Sequence, residues 1–393
     1  STYLQNHKNT TLVLDNQSAS ELTRFKTPWL VGTCDWIDSM KRRAIVWLCE
    51  TTGKSILKLT DEDYNKNGLS DLLALEGSSY DLNIKMFNHF QNTITGWPGG
   101  KPGADDSTRP ERKSPKSKRV IIFSPHPDDD VVSMGGTFDR LVSQGHEVHI
   151  AYQVKGNIAV SDHDALKFIE VSKDLFKNES KVPVSELIKE LKNNKPDKID
   201  SQAVRNLKGF IRKSEAIAAT RYIGIPDSNT HFLNLPFYDT GRIKKNPPTK
   251  KDVLITASLI NKIKPHQIFA AGDLEDPHGT HKVCLDIILE ALETLKGEKF
   301  MKDCWLWLYR GAWLDWDIHD IDMAVPMSPA QVLRKRKAIF FHQTQKDGVM
   351  FQGQDLREFW VRAEERNSET AEKYKKMGLA DYAAIESFKR HYY

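Results

Sequence analysis

Cysteine is scarce in this 393-residue chain, with four residues (Cys34, Cys49, Cys284 and Cys304) and no C-x-x-C spacing among them. A disulfide framework and a thiolate zinc site are thereby excluded, and the four read as small buried hydrophobes. Long apolar runs are missing too. No window approaches the ~20 apolar residues of a spanning helix, and residues 1–8 lack the apolar core of a signal peptide. No membrane partner is expected, and a cytoplasmic enzyme is. The chain begins at Ser1 without Met, so an upstream portion, with any targeting information, is expected to have been removed. Excess charge of one sign is also lacking. Lys and Arg number 57 against 53 Asp and Glu, a net +4 that is too balanced to indicate nucleic-acid binding, although a small anionic substrate stays open. At 39% hydrophobic and 28% charged residues the chain is an ordinary soluble folded protein, long enough for one large or two unequal domains.

Composition shifts between residues 91 and 118, where Trp97-Pro98-Gly99-Gly100-Lys101-Pro102-Gly103 and Arg109-Pro110-Glu111-Arg112-Lys113 can neither sustain a helix nor bury a face. A linker is expected there. It divides an N-terminal extension, residues 1–90, from a domain at 119–393. The extension offers a helix near Trp36–Thr51 and a strand-like piece at Leu12–Leu14, hence a small α/β extension.

Beyond the linker, Arg119–Ser124 is a short β-branched run of the kind that forms a buried strand, Val131–Gln144 has helical spacing, and Glu147–Val154 reads as a second strand. Residues 157–207 are rich in Lys, Asp, Glu and Asn and read as a surface excursion. Helices at Ile211–Ile223, Lys251–Ile263 and His281–Leu295 then alternate with strands at Thr230–Leu235, Gln267–Gly272 and Asp303–Tyr309, before a largely helical tail from Pro329. Such alternation predicts an α/β fold, a Rossmann-like three-layer sandwich with a mostly parallel sheet.

Chemistry concentrates just past two strand ends, where open α/β sheets place their sites. The first cluster is Ser124-Pro125-His126-Pro127-Asp128-Asp129-Asp130. Three consecutive carboxylates beside one histidine repel each other in a core unless a cation compensates them. An exposed acidic turn capping the next helix is the blander alternative. The second cluster, Asp276-Pro277-His278-Gly279-Thr280-His281, follows another predicted strand. Two clusters at equivalent places favour a shared metal.

At these residues the chain resembles the PIG-L/LmbE-type zinc-dependent N-acetylglucosamine de-N-acetylases, over roughly residues 117–367 with an insertion near 157–207. His126-Pro127-Asp128-Asp129, Gly135-Gly136 and His278-x-x-His281 carry the resemblance. It implies His126, Asp129 and His281 as ligands of Zn2+, Asp128 as general base, and His278 facing the carbonyl oxygen. Two imidazoles and one carboxylate leave a position for water, as in catalytic zinc sites, while admitting other divalent transition metals. Arg212, in Arg212-Lys213-Ser214-Glu215, and Asp239, in Phe237-Tyr238-Asp239-Thr240-Gly241, resemble substrate contacts; surface charge and a turn-forming Asp are the alternatives. His342 and Gln345 lie in a further family-like stretch.

The chain departs from the pattern at Asp130, where many relatives have Glu, and at Gly279-Thr280, where several have Asp. Trp305, Trp307, Trp313 and Trp316 offer either a sugar-stacking face or core packing. Leu22–Gly32 and Leu57–Leu72 resemble the junction of bacterial fusions in which a glucosamine-6-phosphate deaminase-like domain precedes a deacetylase-like one. The expected activity is metal-dependent removal of the N-acetyl group from a small N-acetylglucosamine derivative. The alternatives are an amidase of a thiol-sugar conjugate, and a catalytically impaired sugar-sensing domain that regulates a fused deaminase. Oligomeric state is left open.

Overall fold

The computed structural model of the chain describes residues 3–15, 18–100, 117–175, 184–193, 199–242, 244–272, 279–311, 314–346 and 357–393. Contacts divide it into two units, residues 1–92 with 374–380, and residues 93–373 with 381–393.

Among the described residues the first unit is helical: α1 (Thr23–Lys26), α2 (Asp38–Thr52), α3 (Asp61–Lys66), α4 (Ser70–Glu76) and α5 (Ser79–Thr93). Apolar residues one helical turn apart on α2, namely Ala44, Ile45, Leu48 and Cys49, are buried with Tyr64, Leu72 and Phe90. Thr60 and Asp63 close a capping box that starts α3. The α/β extension expected here is corrected: Leu12–Leu14 joins no strand and is exposed. Three apolar residues without a pairing edge bury nothing.

The second unit carries a seven-stranded sheet of order β3-β2-β1-β4-β5-β7-β6. Its strands are β1 (Arg119–Ser124), β2 (Glu147–Tyr152), β3 (Thr230–Phe232), β4 (Gln267–Ala271), β5 (Trp305–Tyr309), β6 (Met323–Met327) and β7 (Ala384–His391). The first five pair in parallel; β7 runs antiparallel between β5 and β6. The connecting helices are α6 (Asp129–Ser143), α7 (Asp162–Leu175), α8 (Val184–Lys192), α9 (Gln202–Ile223), α10 (Lys250–Ile263) and α11 (Thr280–Thr294). Two more, α12 (Pro329–Phe340) and α13 (Phe359–Lys376), follow β6. The fold is mixed α/β and the sheet mostly parallel, as the alternation predicts, with β6 added before Pro329 and β7 inside the tail expected to be largely helical. Strand order reverses at β1, so the crevice beyond its carboxyl end is the topological switch point.

Two segments differ from expectation. Residues 157–207 are more than a polar excursion, because Ala165 and Ile169 of α7 and Leu187 and Leu191 of α8 form an apolar cluster with Val160, Val204 and Ile211. Spacing of four residues on each helix supplies that face. In the stretch read as a linker, Pro98, Gly99 and Gly100 are buried, Thr95 N donates to Ala324 O (2.8 Å), and Gln267 Nε2 donates to Pro98 O (3.1 Å); residues 101–116 lie outside the described residues.

Helix α6 matters most, because its first turn carries Asp129 and Asp130. It kinks at Met134 (φ −137°, ψ 27°), and the amides of Gly136 and Thr137 donate to Glu386 of β7 at 2.9 and 2.6 Å. Lys335 of α12, also buried, completes the network by donating to Glu386 (2.8 Å) and Asn367 (2.8 Å). Glycines at 135 and 136 leave room for Lys335 and Met327, whose side chains a Cβ at either position would displace. Glu386→Ala takes this acceptor from two buried amides and leaves the buried Lys335 charge with Asn367 alone, and is expected to destabilise the protein by about 3–5 kcal/mol. Urea unfolding measures this, and a loss below about 1 kcal/mol would refute the network's role.

A second stability prediction concerns His146. Its Nδ1 accepts from Lys118 N (3.1 Å) and Gly99 packs against the ring. Burial, with the Lys118 charge, pushes the imidazole down from 6.5 to about 4. The fold therefore favours the neutral ring: its contribution is complete above the unfolded value and is lost as pH falls from 6.5 toward 4. Unfolding free energy is expected to drop by roughly 2 kcal/mol from this group between pH 7.5 and 5. His146→Gln should flatten that slope by the same amount; an unchanged slope contradicts the assignment.

Candidate metal and active site

Strand β1 ends at Ser124 and delivers Pro125–Asp128 into the switch-point crevice, where α6 begins at Asp129. His281 arrives from the other side, on the first turn of α11 after β4. Two segments 150 residues apart in sequence thus meet on neighbouring parallel strands. His126 Nδ1 lies 3.1 Å from Asp129 Oδ2, His281 Nε2 lies 3.2 Å from the same oxygen, and the two imidazole nitrogens are 3.3 Å apart. All three side chains are largely buried.

The three donors fit one ion. Zinc bonds of about 2.0–2.2 Å at a tetrahedral angle place ligand atoms about 3.3 Å apart. Without a cation the cluster holds two imidazoles and a carboxylate at mutual hydrogen-bond distance, with few protons to share. Burial alone would raise the Asp129 carboxyl, but His281 and His126 beside it hold it well below the usual range. Asp317, His319 and Asp320 also come within reach of one ion, on a partly exposed turn where Lys389 already donates to Asp320 (2.9 Å).

Asp128 sits next to this triad, and Arg212 Nη2 donates to its Oδ1 (2.8 Å). Burial raises its carboxyl, and the guanidinium opposes that shift. Arg212 is 1% exposed, and its Nε and Nη1 have no hydrogen-bond partner. It reaches Asp128 from the middle of α9, and Gly156 permits this: a Cβ there would come within 2.9 Å of Pro127 and 3.2 Å of Arg212 Nε. One turn on, Glu215 accepts from Thr344 N and Oγ1, both at 2.8 Å. That contact ties α9 to the His342–Gln345 turn, whose Gln345 donates to Ala159 O (3.0 Å).

Asp130 is fully buried and accepts from Tyr152 OH (3.0 Å) and from Ser124 Oγ (3.2 Å), while its own amide donates to Ser124 Oγ (3.1 Å). The carboxylate accepts twice and the amide donates once, since the loop closes tightly enough for the short side chain. Burial pushes it up to about 7. Ser124 at the strand end and Tyr152, its register partner on β2, are the sequence signals for this clasp. His342 is buried, neither ring nitrogen has a hydrogen-bond partner, and burial with the Arg212 charge pushes it down to about 3.

Asp239 lies at the rim, 3.5 Å from Lys155 Nζ; its neighbour Tyr238 sets its ring 6.2 Å from that of His126. His278 and Asp276 lie outside the described residues, as does Trp313. Of the other tryptophans, Trp307 and Trp316 are buried, Trp316 Nε1 donating to Leu308 O (3.0 Å), and Arg390 covers Trp305. A sugar-stacking face at these three is corrected: alternation along β5 turns Trp307 into the core, and the Trp305 face is already taken by a guanidinium.

Comparison with known proteins follows the same residues. The family described as PIG-L, GlcNAc-PI de-N-acetylase, matches residues 121–292. A glucosamine-6-phosphate deaminase-like protein of Bacteroides thetaiotaomicron is 53% identical over 395 residues, 98% of this chain and 60% of its own length. The chain therefore spans about three fifths of that relative. Among solved structures, an N,N'-diacetylchitobiose deacetylase from Pyrococcus horikoshii matches at 18% identity and TM-score 0.44, covering 70% of this chain and 84% of its own. A 4-carboxy-2-hydroxymuconate hydratase from Pseudomonas putida matches at 14% and 0.43, covering 70% and 97%. Neither structural likeness bears on activity. The family match begins within β1 and ends in α11, so it includes both arms of the crevice, and residues 121–292 match the PIG-L family.

Proposed function

We propose that the domain at residues 119–393 hydrolyses the acetamide of a soluble N-acetylglucosamine derivative, releasing acetate and the free amine. The observation that carries this reading is the convergence of His126, Asp129 and His281 within one ion's reach beside Asp128. Zn2+ is the proposed ion; when bound, it would supply Lewis-acid polarisation of the acyl oxygen and a lowered pKa for water. His126, Asp129 and His281 would hold it.

Asp128 acts on protons. Its carboxylate takes one from the attacking water and returns it to the nitrogen as the C–N bond breaks, a role worth about 10²–10⁴-fold in rate. Arg212 keeps that carboxylate oriented and anionic despite its burial. His278 is assigned to the developing oxyanion, where removal of one donor typically costs about 10²–10³-fold. Asp239 is assigned to the sugar at the rim. No helix among the described residues is long and apolar enough to cross a membrane, which accords with a soluble substrate.

A panel of N-acetyl sugars, assayed for acetate release with and without chelator, tests the reading. Chelator-sensitive release from at least one sugar is expected. No release from any sugar, with turnover of a thiol-sugar conjugate, would replace it with the amidase reading; metal-independent indifference to every amide would leave a sensing module.

A further inference from the structure

Beside the metal loop lies a cavity of about 260 Å³ that the assignments above leave unexplained, lined by Pro127, Lys155, Asn206, Phe210, Lys213 and Asn234 together with Gly209 and Phe232. Pro127 is the residue between His126 and Asp128, so the cavity adjoins the reacting centre. Its lining carries two ammonium groups and no carboxylate. Both ammoniums are positioned. Lys155 lies with its stem along α9, at van der Waals distance from position 209, where a Cβ would stand 3.6 Å from the Lys155 Cβ and Cδ. Lys213 projects from α9 with Nζ 5.0 Å above the Phe232 ring. Asp239 reaches Lys155 at a long 3.5 Å. Carboxylates of the centre itself face other partners, Asp128 accepting from Arg212 (2.8 Å) and Asp129 lying against His126 and His281 (3.1 and 3.2 Å).

A neutral sugar filling this space would strip water from two cations and give nothing ionic back, whereas an anionic substituent would compensate both with charge-assisted hydrogen bonds. Two amide side chains, Asn206 and Asn234, can supply further donors. The volume falls below the roughly 300–1,000 Å³ of pockets that enclose drug-sized ligands, which suits one substituted sugar and not an oligosaccharide. We propose that the Lys155–Lys213 cavity is a phosphate subsite, and that the substrate class is an N-acyl amino sugar phosphate. The proposal rests on the deacetylase reading for its acyl end and on the cavity alone for its anion.

The full chain, zinc-loaded, is assayed on N-acetylglucosamine and on its 1-phosphate and 6-phosphate, as wild type and as the Lys155→Met/Lys213→Met double variant. Binding of glucosamine, glucosamine 1-phosphate and glucosamine 6-phosphate is measured in parallel by calorimetry. One phosphate ester should exceed the neutral sugar in kcat/KM, mostly through KM, by at least about tenfold per lysine. The double variant should lose that preference. Equal handling of neutral and phosphorylated sugars, unaltered in the double variant, overturns the subsite and leaves the deacetylase reading standing. Should no sugar be turned over, the deacetylase reading fails while calorimetry still decides the anion: phosphosugar binding weakened in the double variant supports the subsite, and absent or unweakened binding overturns it.

Discussion

Asp128→Asn is expected to lower kcat on the responsive N-acetyl sugar by about 10²–10⁴-fold while leaving metal content at the wild-type level. The substitution keeps the shape of the side chain and an oxygen for Arg212 to donate to, but removes the group that accepts the water's proton. KM should change little, because Asp128 sits on the triad's flank and contributes no ligand atom to it. A fall in metal content would mean that Asp128 belongs to the ligand set; a drop in kcat below about tenfold would remove it as the base. Arg212→Met complements this variant, since it leaves a buried carboxylate without its cation. Asp128 should then protonate at higher pH, and the acidic limb of the rate profile should move upward.

The second large effect is on His281→Ala. Loss of one of three protein ligands should reduce bound ion from one per chain to near none after dialysis, a bigger effect than the 10–100-fold affinity loss that follows removal of an outer-shell partner. Activity should fall to background with it. The fold should persist, because α11 remains anchored by Cys284, Ile287, Ile288 and Ala291, all buried, and by Gln153 donating to Cys284 O (3.1 Å). Retention of both ion and activity in this variant would place the cation elsewhere.

The parallel core was legible because β1, β2, β4 and β5 are short, largely apolar runs flanked by turn residues, and the helices between them have apolar stripes. Strands β6 and β7 were not. Met323–Met327 contains Pro326, which reads as a strand breaker, yet β6 is the last strand of the sheet, and an edge tolerates it. In Ala384–His391 a buried glutamate and serine interrupt the apolar run, and Glu386 is there to bind α6 and Lys335, a partnership visible only in three dimensions. The triad's own residue types were legible since His-Pro-Asp-Asp and His-x-x-His put metal-ligating side chains at strand ends. What supports them was not: Tyr152, Ser124 and Glu215 are ordinary polar residues until burial leaves them few partners. Lys155 and Lys213 looked like any surface lysines, 58 residues apart, before β2 and α9 brought them to one cavity.

The most direct test of the account is X-ray absorption at the zinc edge on the zinc-loaded chain, compared with its His126→Ala and His281→Ala variants. One ion per chain is predicted, with nitrogen and oxygen ligands at about 2.0–2.2 Å, no sulfur, and scattering from two imidazoles that drops out in both variants. A wild-type spectrum showing no histidine scattering, or one unchanged in either variant, would contradict the shared metal site.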